Sequence, residues 1–222
     1  MITVHYLNNS RAHRILWLLE ELGLSYDVKT YTRGADMRAP ESLKAIHPLG
    51  KSPVVTDGDL VLAESGAITE YFVAGHPDAK LAPARGTPEH LRYTYWLHYA
   101  EGSAMPLLQT KLIFTVIPDQ VPFIIKPIAR AISNGVSRQL LDPQINDHVA
   151  LWEQELSRDG WFAGSEFSAA DILMSFPVEA GASRIDFGKD TPAIAAYLDA
   201  IRSRPAYQRA LERGNEYAFS KT

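Results

Sequence analysis

The hydrophobic pattern of this chain changes character once. Up to about residue 75, short alternating runs interchange with helical ones; after Thr87 no strand-like alternation of any length occurs and apolar residues recur at helical spacing. Such a chain has to fold as a mixed α/β unit followed by an all-helical one, because each kind of apolar face needs a partner of matching geometry. Between them, after His76, the stretch 77–86 carries Pro77, Pro83 and Gly86, a density of breakers that reads as a linker. The 222 residues suffice for one large domain or two small ones packed together. The pattern selects two, over 1–76 and 87–222.

Within the first unit, residues 2–8 form a strand, and Asn8-Asn9-Ser10 supply turn and cap residues. A helix is predicted over Arg11 to Leu22. Ile15, Leu16, Leu18, Leu19 and Leu22 form its apolar stripe, Glu20 and Glu21 face outward, and Gly23 is a left-handed stop. Tyr26–Tyr31 alternates as a second strand. Residues 53–56 and 60–63 then pair around Asp57-Gly58 as a hairpin, and a helix opens at Ser65 and runs through Tyr71 and Phe72. The order βαβ, irregular segment, ββα is that of a thioredoxin-like domain. In the second unit, Thr87-Pro88, Asp142-Pro143 and Thr191-Pro192 each place a capping residue before a proline, giving three helix starts. Ile145, Val149, Trp152 and Leu156 form a buried stripe, and Ser168 with Asp171 forms a capping box that makes Asp171 structural.

Composition narrows the chemistry. Hydrophobic residues make up 46% and charged residues 22%, as in ordinary globular proteins. The net charge of −4 is spread without blocks, so no basic stripe invites nucleic acid or anionic lipid. The most apolar stretch, Leu112 to Ile132, is interrupted by Pro118, Asp119, Gln120, Pro122, Lys126 and Pro127; it reads as core and pocket wall, not a bilayer span, and no membrane partner is expected. The amino terminus lacks the features of a secretory signal, which makes the cytoplasm the expected compartment. There are no cysteines, which excludes disulfides, a Cys-x-x-Cys pair and a cysteine nucleophile; thiol chemistry would need a borrowed thiol. No His/Asp/Glu cluster has metal-ligand spacing, and no Gly-x-Ser-x-Gly or phosphate-binding glycine loop occurs, so neither a metal nor a nucleotide cofactor is indicated.

Four local motifs in this order resemble those of the cytosolic glutathione transferases: Gly50-Lys51-Ser52-Pro53-Val54-Val55, Glu64-Ser65 at the third helix, Trp161-Phe162-Ala163-Gly164 leading to Phe167-Ser168-Ala169-Ala170-Asp171-Ile172, and Arg204-Pro205-Ala206-Tyr207. The first helix is similar to a bacterial and fungal branch near the theta, delta and phi types. The resemblance implies a thioredoxin-like domain, an all-helical domain, and conjugation of the glutathione thiolate to a hydrophobic electrophile, a detoxifying activity with glutathione as co-substrate. The alternatives are a glutathione-dependent peroxidase or isomerase on the same site, or a glutathione-binding module without turnover.

The resemblance also implies roles. Pro53 would be a cis-proline, with the Ser52 backbone pairing the cysteinyl backbone of glutathione like an added strand; Ser52 replaces the usual Val or Ile, a change expected to loosen packing. Ser65, at a helix start suited to a carboxylate, would hold the γ-glutamyl carboxylate, and Glu64 the ammonium end. Ser10 is the candidate thiolate donor, with Asn9 and Tyr6 as rivals. Arg11 would support the sulfur electrostatically, and Lys51 would reach the glycyl carboxylate, with His47 a weaker candidate. The electrophile's pocket would be walled by Leu7, Leu108 and Phe114, with Ile117 and Phe123 as further candidates. A homodimer is expected, with Ile68, Tyr71, Phe72 and residues 87–109 at its interface.

Overall fold

The computed structural model describes residues 1–36, 38–184, 190–214, 217 and 219. Its first part is a four-stranded sheet in the order β2-β1-β3-β4. β1 (Ile2–Leu7) pairs parallel to β2 (Tyr26–Tyr31) and antiparallel to β3 (Val54–Asp57), which forms a hairpin with β4 (Leu60–Ala63). The hairpin turn is Gly58-Asp59, one residue later than the sequence suggests, with Gly58 at φ +56°. A parallel β1–β2 pair demands a crossover, supplied by α1 (His13–Glu21). β1 is covered on both faces. Val4 and Tyr6 join the main core with α1 and α3 (Ser65–Gly75), whereas Leu7 packs with Tyr31 and with Leu43 of α2 (Glu41–Lys44) on the other side.

α1 begins later than expected, at His13, because residues 8–12 form turns in which the Ser10 hydroxyl accepts the Ala12 N–H at 3.2 Å. It ends as predicted, with Gly23 at φ +65°.

Among its described residues the second part contains helices and no strand. α4 (Pro88–Tyr99) starts under the Thr87 hydroxyl, which accepts the His90 N–H at 3.2 Å, and continues through a π-helical turn, Ala100–Ala104, into α5 (Met105–Gln120). After residues 121–125 the chain reverses into α6 (Lys126–Val136), a second π-helical turn, Ser137–Leu141, and α7 (Asp142–Asp159). Asp142-Pro143 therefore opens no independent helix. Pro143, like Pro106, follows a widened turn, where the missing N–H is accommodated without breaking the helix, and Asp142 pairs with Lys111 at 2.6 Å. α8 (Ala169–Arg184), α9 (Pro192–Ser203) and α10 (Pro205–Arg213) complete the order. The first N–H groups of α9, from Ala193 and Ile194, donate to the Glu153 carboxylate at 2.9 Å.

One continuous core joins the two parts, running from Val4 and Tyr6 through α1 to Trp96, Trp152, Leu173 and Tyr207. Glu20 and Glu21, expected in solvent, are mostly covered and bind the far end of the chain. Glu21 takes a two-pronged bond from Arg204 at 2.6 and 2.9 Å, and Glu20 pairs with Arg209 at 2.7 Å. Helical spacing correctly placed both carboxylates opposite the α1 stripe, but α10 occupies that side.

The segment Leu112–Ile132 also departs from expectation. Phe123 and Ile124 are 85% and 87% exposed, and Ile128 and Ile132 are exposed as well. The segment spans the end of α5, the projecting turn and the start of α6; Pro118 is buried and Phe114 packs against the core, but the turn itself is surface. Among the described residues no helix is long and apolar enough to cross a membrane.

His13 sits fully buried, one residue before Arg14, stacked on Tyr217 at 4.2 Å and edge-on to Tyr207 at 5.1 Å, with neither ring nitrogen hydrogen-bonded. Burial, with the Arg14 charge beside it, pushes its pKa down to about 3. The unfolded chain takes up a proton near pH 6.5 that the folded chain refuses, so stability falls as pH drops through the window from about 6.5 to 3. At about pH 4.5 this amounts to about 2–3 kcal/mol. We expect His13→Phe, which keeps the ring stack, to lose that part of the acid slope. Denaturant titrations of both proteins at pH 7.5 and 4.5 measure it, and an identical slope in the variant would refute the assignment.

Candidate functional site

The site forms where the end of β1, the loop before β3, the start of α3 and the π-helical turn after α4 converge. The Ser52–Pro53 peptide is cis. The Ser52 side chain is more than a bystander. Its hydroxyl donates to the His5 carbonyl at 2.9 Å and accepts from the Leu7 N–H and the Ser10 hydroxyl, both at 3.2 Å. Serine here does not loosen the packing as expected; it ties the loop to β1 where an aliphatic side chain would leave the Leu7 N–H unmet. Ser10 is 4% exposed, beside Ser52, while Asn9 is exposed at φ +50°. Tyr6 is fully buried in the core and desolvation pushes its pKa up to about 12, which makes it a poor neighbour for a surface-bound thiol.

At the other end, Glu64 precedes α3 at φ +71°, ψ 125°, a conformation that costs a non-glycine residue about 1–3 kcal/mol. Its effect is to turn the chain sharply from β4 into α3, so that the first N–H groups of the helix follow directly on an exposed carboxylate. Ser65 is buried, and its hydroxyl accepts from Arg14 Nη2 at 3.2 Å. Because the guanidinium can only donate, the serine proton is left to point elsewhere.

Sequence reasoning passed over Arg14 and Glu101, which organise the site. Arg14 is fully buried on α1. It bonds Ser65, the Glu101 carboxylate and, at 2.6 Å, the carbonyl of Leu173. That carbonyl lies four residues before Pro177 in α8, and proline has no N–H to give it, so Arg14 replaces the missing helical bond. Glu101 also pairs with Arg11. Burial pushes the Glu101 carboxyl up, but the two guanidiniums outweigh it and hold the group below its usual range. The chain Ser65–Arg14–Glu101–Arg11 thus links three elements through charge-assisted bonds, which are the strong kind. A signal was present: an arginine on the apolar side of a strongly amphipathic helix calls for a buried partner.

Among the remaining candidates, Lys51 is exposed and His47 half-buried, its Nδ1 buried without a hydrogen bond. Leu7 faces α2, Leu108 belongs to the main core, and Phe114 lines the groove between α5 and α6. These three do not form one wall, and Phe123 stands at the projecting turn. A cavity of about 1160 Å³ lies elsewhere, behind the linker, lined by His76, Arg85, His90 and Phe167 among others, and none of the glutathione candidates reaches it. Among the described residues no group of three or more His, Asp or Glu could hold a metal ion.

A thioredoxin-like domain carrying a sharp strand-to-helix turn at Glu64-Ser65, joined to a helical domain that supplies Glu101, defines the class of protein as a two-domain α/β-plus-helical one. Residues 1–74 match the glutathione S-transferase N-terminal domain and residues 112–205 the C-terminal domain. Glutathione S-transferase 1 of Saccharomyces cerevisiae is 35% identical, covering 96% of this chain and 95% of its own. Glutathione S-transferase 3 of Schizosaccharomyces pombe is 32% identical, covering 96% and 88%. A crystal structure of a glutathione S-transferase from Actinobacillus pleuropneumoniae is 34% identical with a TM-score of 0.74, covering 100% and 97%. The chain belongs to the glutathione S-transferase family.

Proposed function

We propose that this glutathione transferase holds the γ-glutamyl carboxylate at Ser65 and the first turn of α3, pairs the cysteinyl backbone with Ser52, and stabilises the thiolate with the Ser10 hydroxyl. The observation carrying the reading is the 3.2 Å contact between Ser10 and Ser52. It sets a hydroxyl beside the loop that would pair the cysteinyl unit, and that hydroxyl has only to turn from Ser52 to reach a sulfur. The thiol proton leaves to water, and the sulfur lone pair forms a bond to the electrophilic carbon as the leaving group departs with its electrons. Donation from Ser10 favours the charged sulfur. A bond to an ion is worth roughly 1.5–3 kcal/mol, which lowers the thiol pKa by about 1–2 units. Glu64 and the Arg11–Glu101 pair face the ammonium end and the sulfur in this reading, and Lys51 the glycyl carboxylate.

Ser10→Ala is expected to raise the bound thiol's pKa by about 1–2 units and to lower kcat/KM near neutral pH roughly 10- to 100-fold. Ultraviolet titration of bound thiolate, with calorimetry for affinity, measures both. An unchanged pKa in Ser10→Ala together with a raised one in Asn9→Ala would transfer the role to Asn9.

The proposal extends to detoxification of hydrophobic electrophiles in the cytoplasm, where the glutathione pool is kept reduced, and to a homodimer. Leu60, Val61, Tyr71, Leu91 and Tyr95 are exposed on β4, α3 and α4 and suit a self-complementary face. Ile68 and Phe72, expected at that interface, lie in the core. Light scattering that gave the mass of a single chain would refute the dimer.

A further inference from the structure

The β1–β3 ladder sets Ile2 against Asp57 and His5 against Val54, and it ends there; Pro53 has no N–H with which to continue it. Carried two residues on, the same register would place Leu7 opposite Ser52. At that point the Ser52 side chain stands in for its backbone. Its hydroxyl accepts the Leu7 N–H at 3.2 Å and donates to the His5 carbonyl at 2.9 Å. A hydroxyl has one proton and two lone pairs, and the second lone pair takes the Ser10 proton at 3.2 Å. The Ser52 hydroxyl is thereby saturated. Ser10 in turn accepts the Ala12 N–H at 3.2 Å, so what remains open on it is one lone pair. A thiolate needs a donor, and the single Ser10 proton is already engaged.

We propose that Ser52 is a positioning residue that sets how readily Ser10 serves the sulfur. The proposal rests on the reading of Ser10 as the thiolate donor, and it makes the Ser52 oxygen a competing acceptor for the Ser10 proton. When the bound thiol ionises, its proton leaves to water and the Ser10 O–H turns from Ser52 to the sulfur; both serines keep their own protons. A bond to an ion is roughly twice as strong as one between neutral groups, so the exchange favours the thiolate. The neutral bond given up offsets part of the gain. Ser52 therefore holds the bound thiol's pKa higher than Ser10 would set it without a competitor, and keeps Ser10, 4% exposed, in one place until glutathione arrives. An aliphatic residue at position 52 has no such hold on Ser10.

The test is ultraviolet titration of the thiolate of bound glutathione in wild type, Ser52→Ala, Ser52→Val, Ser52→Thr, Ser10→Ala and Ser10→Ala with Ser52→Ala. Ser52→Ala and Ser52→Val should each lower the bound thiol's pKa by about half to one unit. Both should also lower the unfolding midpoint, because the Leu7 N–H loses its acceptor. Valine is the residue type usual at this position in the family, so that variant keeps the measurement open where alanine fails to fold. Ser52→Thr, which retains the hydroxyl, should titrate as wild type. In the Ser10→Ala background the Ser52 substitution should leave the pKa where Ser10→Ala alone puts it, since Ser52 acts through Ser10. A merely structural role would move the midpoint and not the pKa. An unchanged or raised pKa in the Ser52 variants, or the same fall with and without Ser10, would overturn the proposal. A Ser10→Ala variant that titrates as wild type is a separate outcome, and it would remove the reading of Ser10 on which the proposal rests.

Discussion

Arg14→Met is expected to destabilise the protein by about 3–5 kcal/mol and to weaken glutathione binding together with it. The substitution removes the donor to the Leu173 carbonyl, which Pro177 leaves without a helical partner, and takes one of two guanidiniums from Glu101. Breaking a buried charged cluster by deleting one member costs this much because the others keep their desolvation penalty without compensation. For a chain of this length it lowers Tm by roughly 6–20 °C. The functional consequence has a separate cause. Without the Arg14 bond at 3.2 Å, the Ser65 hydroxyl is free to rotate, and its proton no longer points in one direction. Below the melting transition we therefore expect KM for glutathione to rise while kcat changes little, a split that general loosening of the fold would not produce. Arg14→Lys should recover only part of the stability, since one ammonium cannot span Ser65, Glu101 and Leu173 together. Thermal unfolding and steady-state kinetics on the two variants decide it; equal falls in kcat and in affinity would remove Ser65 positioning from the account.

Asp171→Ala should be of similar size, about 3–4 kcal/mol, with its effect on folding alone. The carboxylate accepts from the Phe162 N–H at 2.9 Å and from the Ser168 N–H and hydroxyl at 2.8 and 3.0 Å. It thus caps α8 and pins the preceding loop to it. Burial pushes the group's pKa up to about 6 against the pull of those donors, so it is ionised at pH 7.5. Alanine leaves two buried N–H groups without acceptors, each costing about 1–3 kcal/mol beyond the cap itself. Asparagine would not rescue, because one of its two terminal atoms donates where the site holds only donors. Denaturant unfolding at pH 7.5 gives the number, and a loss below about 1 kcal/mol would show that the capping box is dispensable.

These two residues mark the limits of reading the sequence. Asp171 was legible because its role is local: a capping residue and an acid three positions on define a helix start whatever surrounds it. The same holds for the strand–helix–strand order, the left-handed stop at Gly23 and the buried stripe of α7, each written in the period of neighbouring side chains. Arg14 was legible as a cation on an apolar helix face, but its partners were not. Its partners lie 51, 87 and 159 positions away in the chain, and nothing in its neighbourhood says that α8 has a carbonyl to be met. The outward placement of Glu20 and Glu21 failed for the same reason, since helical spacing gives a side but not what packs there. The apolar segment around Phe123 reads as core by composition and is surface in fact, because burial depends on what lies opposite. The sequence by itself determined most of the secondary elements, the two-part plan and the family, all of which follow from local pattern and motif. Only the tertiary structure decided which polar groups share a charge network and which apolar ones face water, because those depend on contacts between residues far apart along the chain.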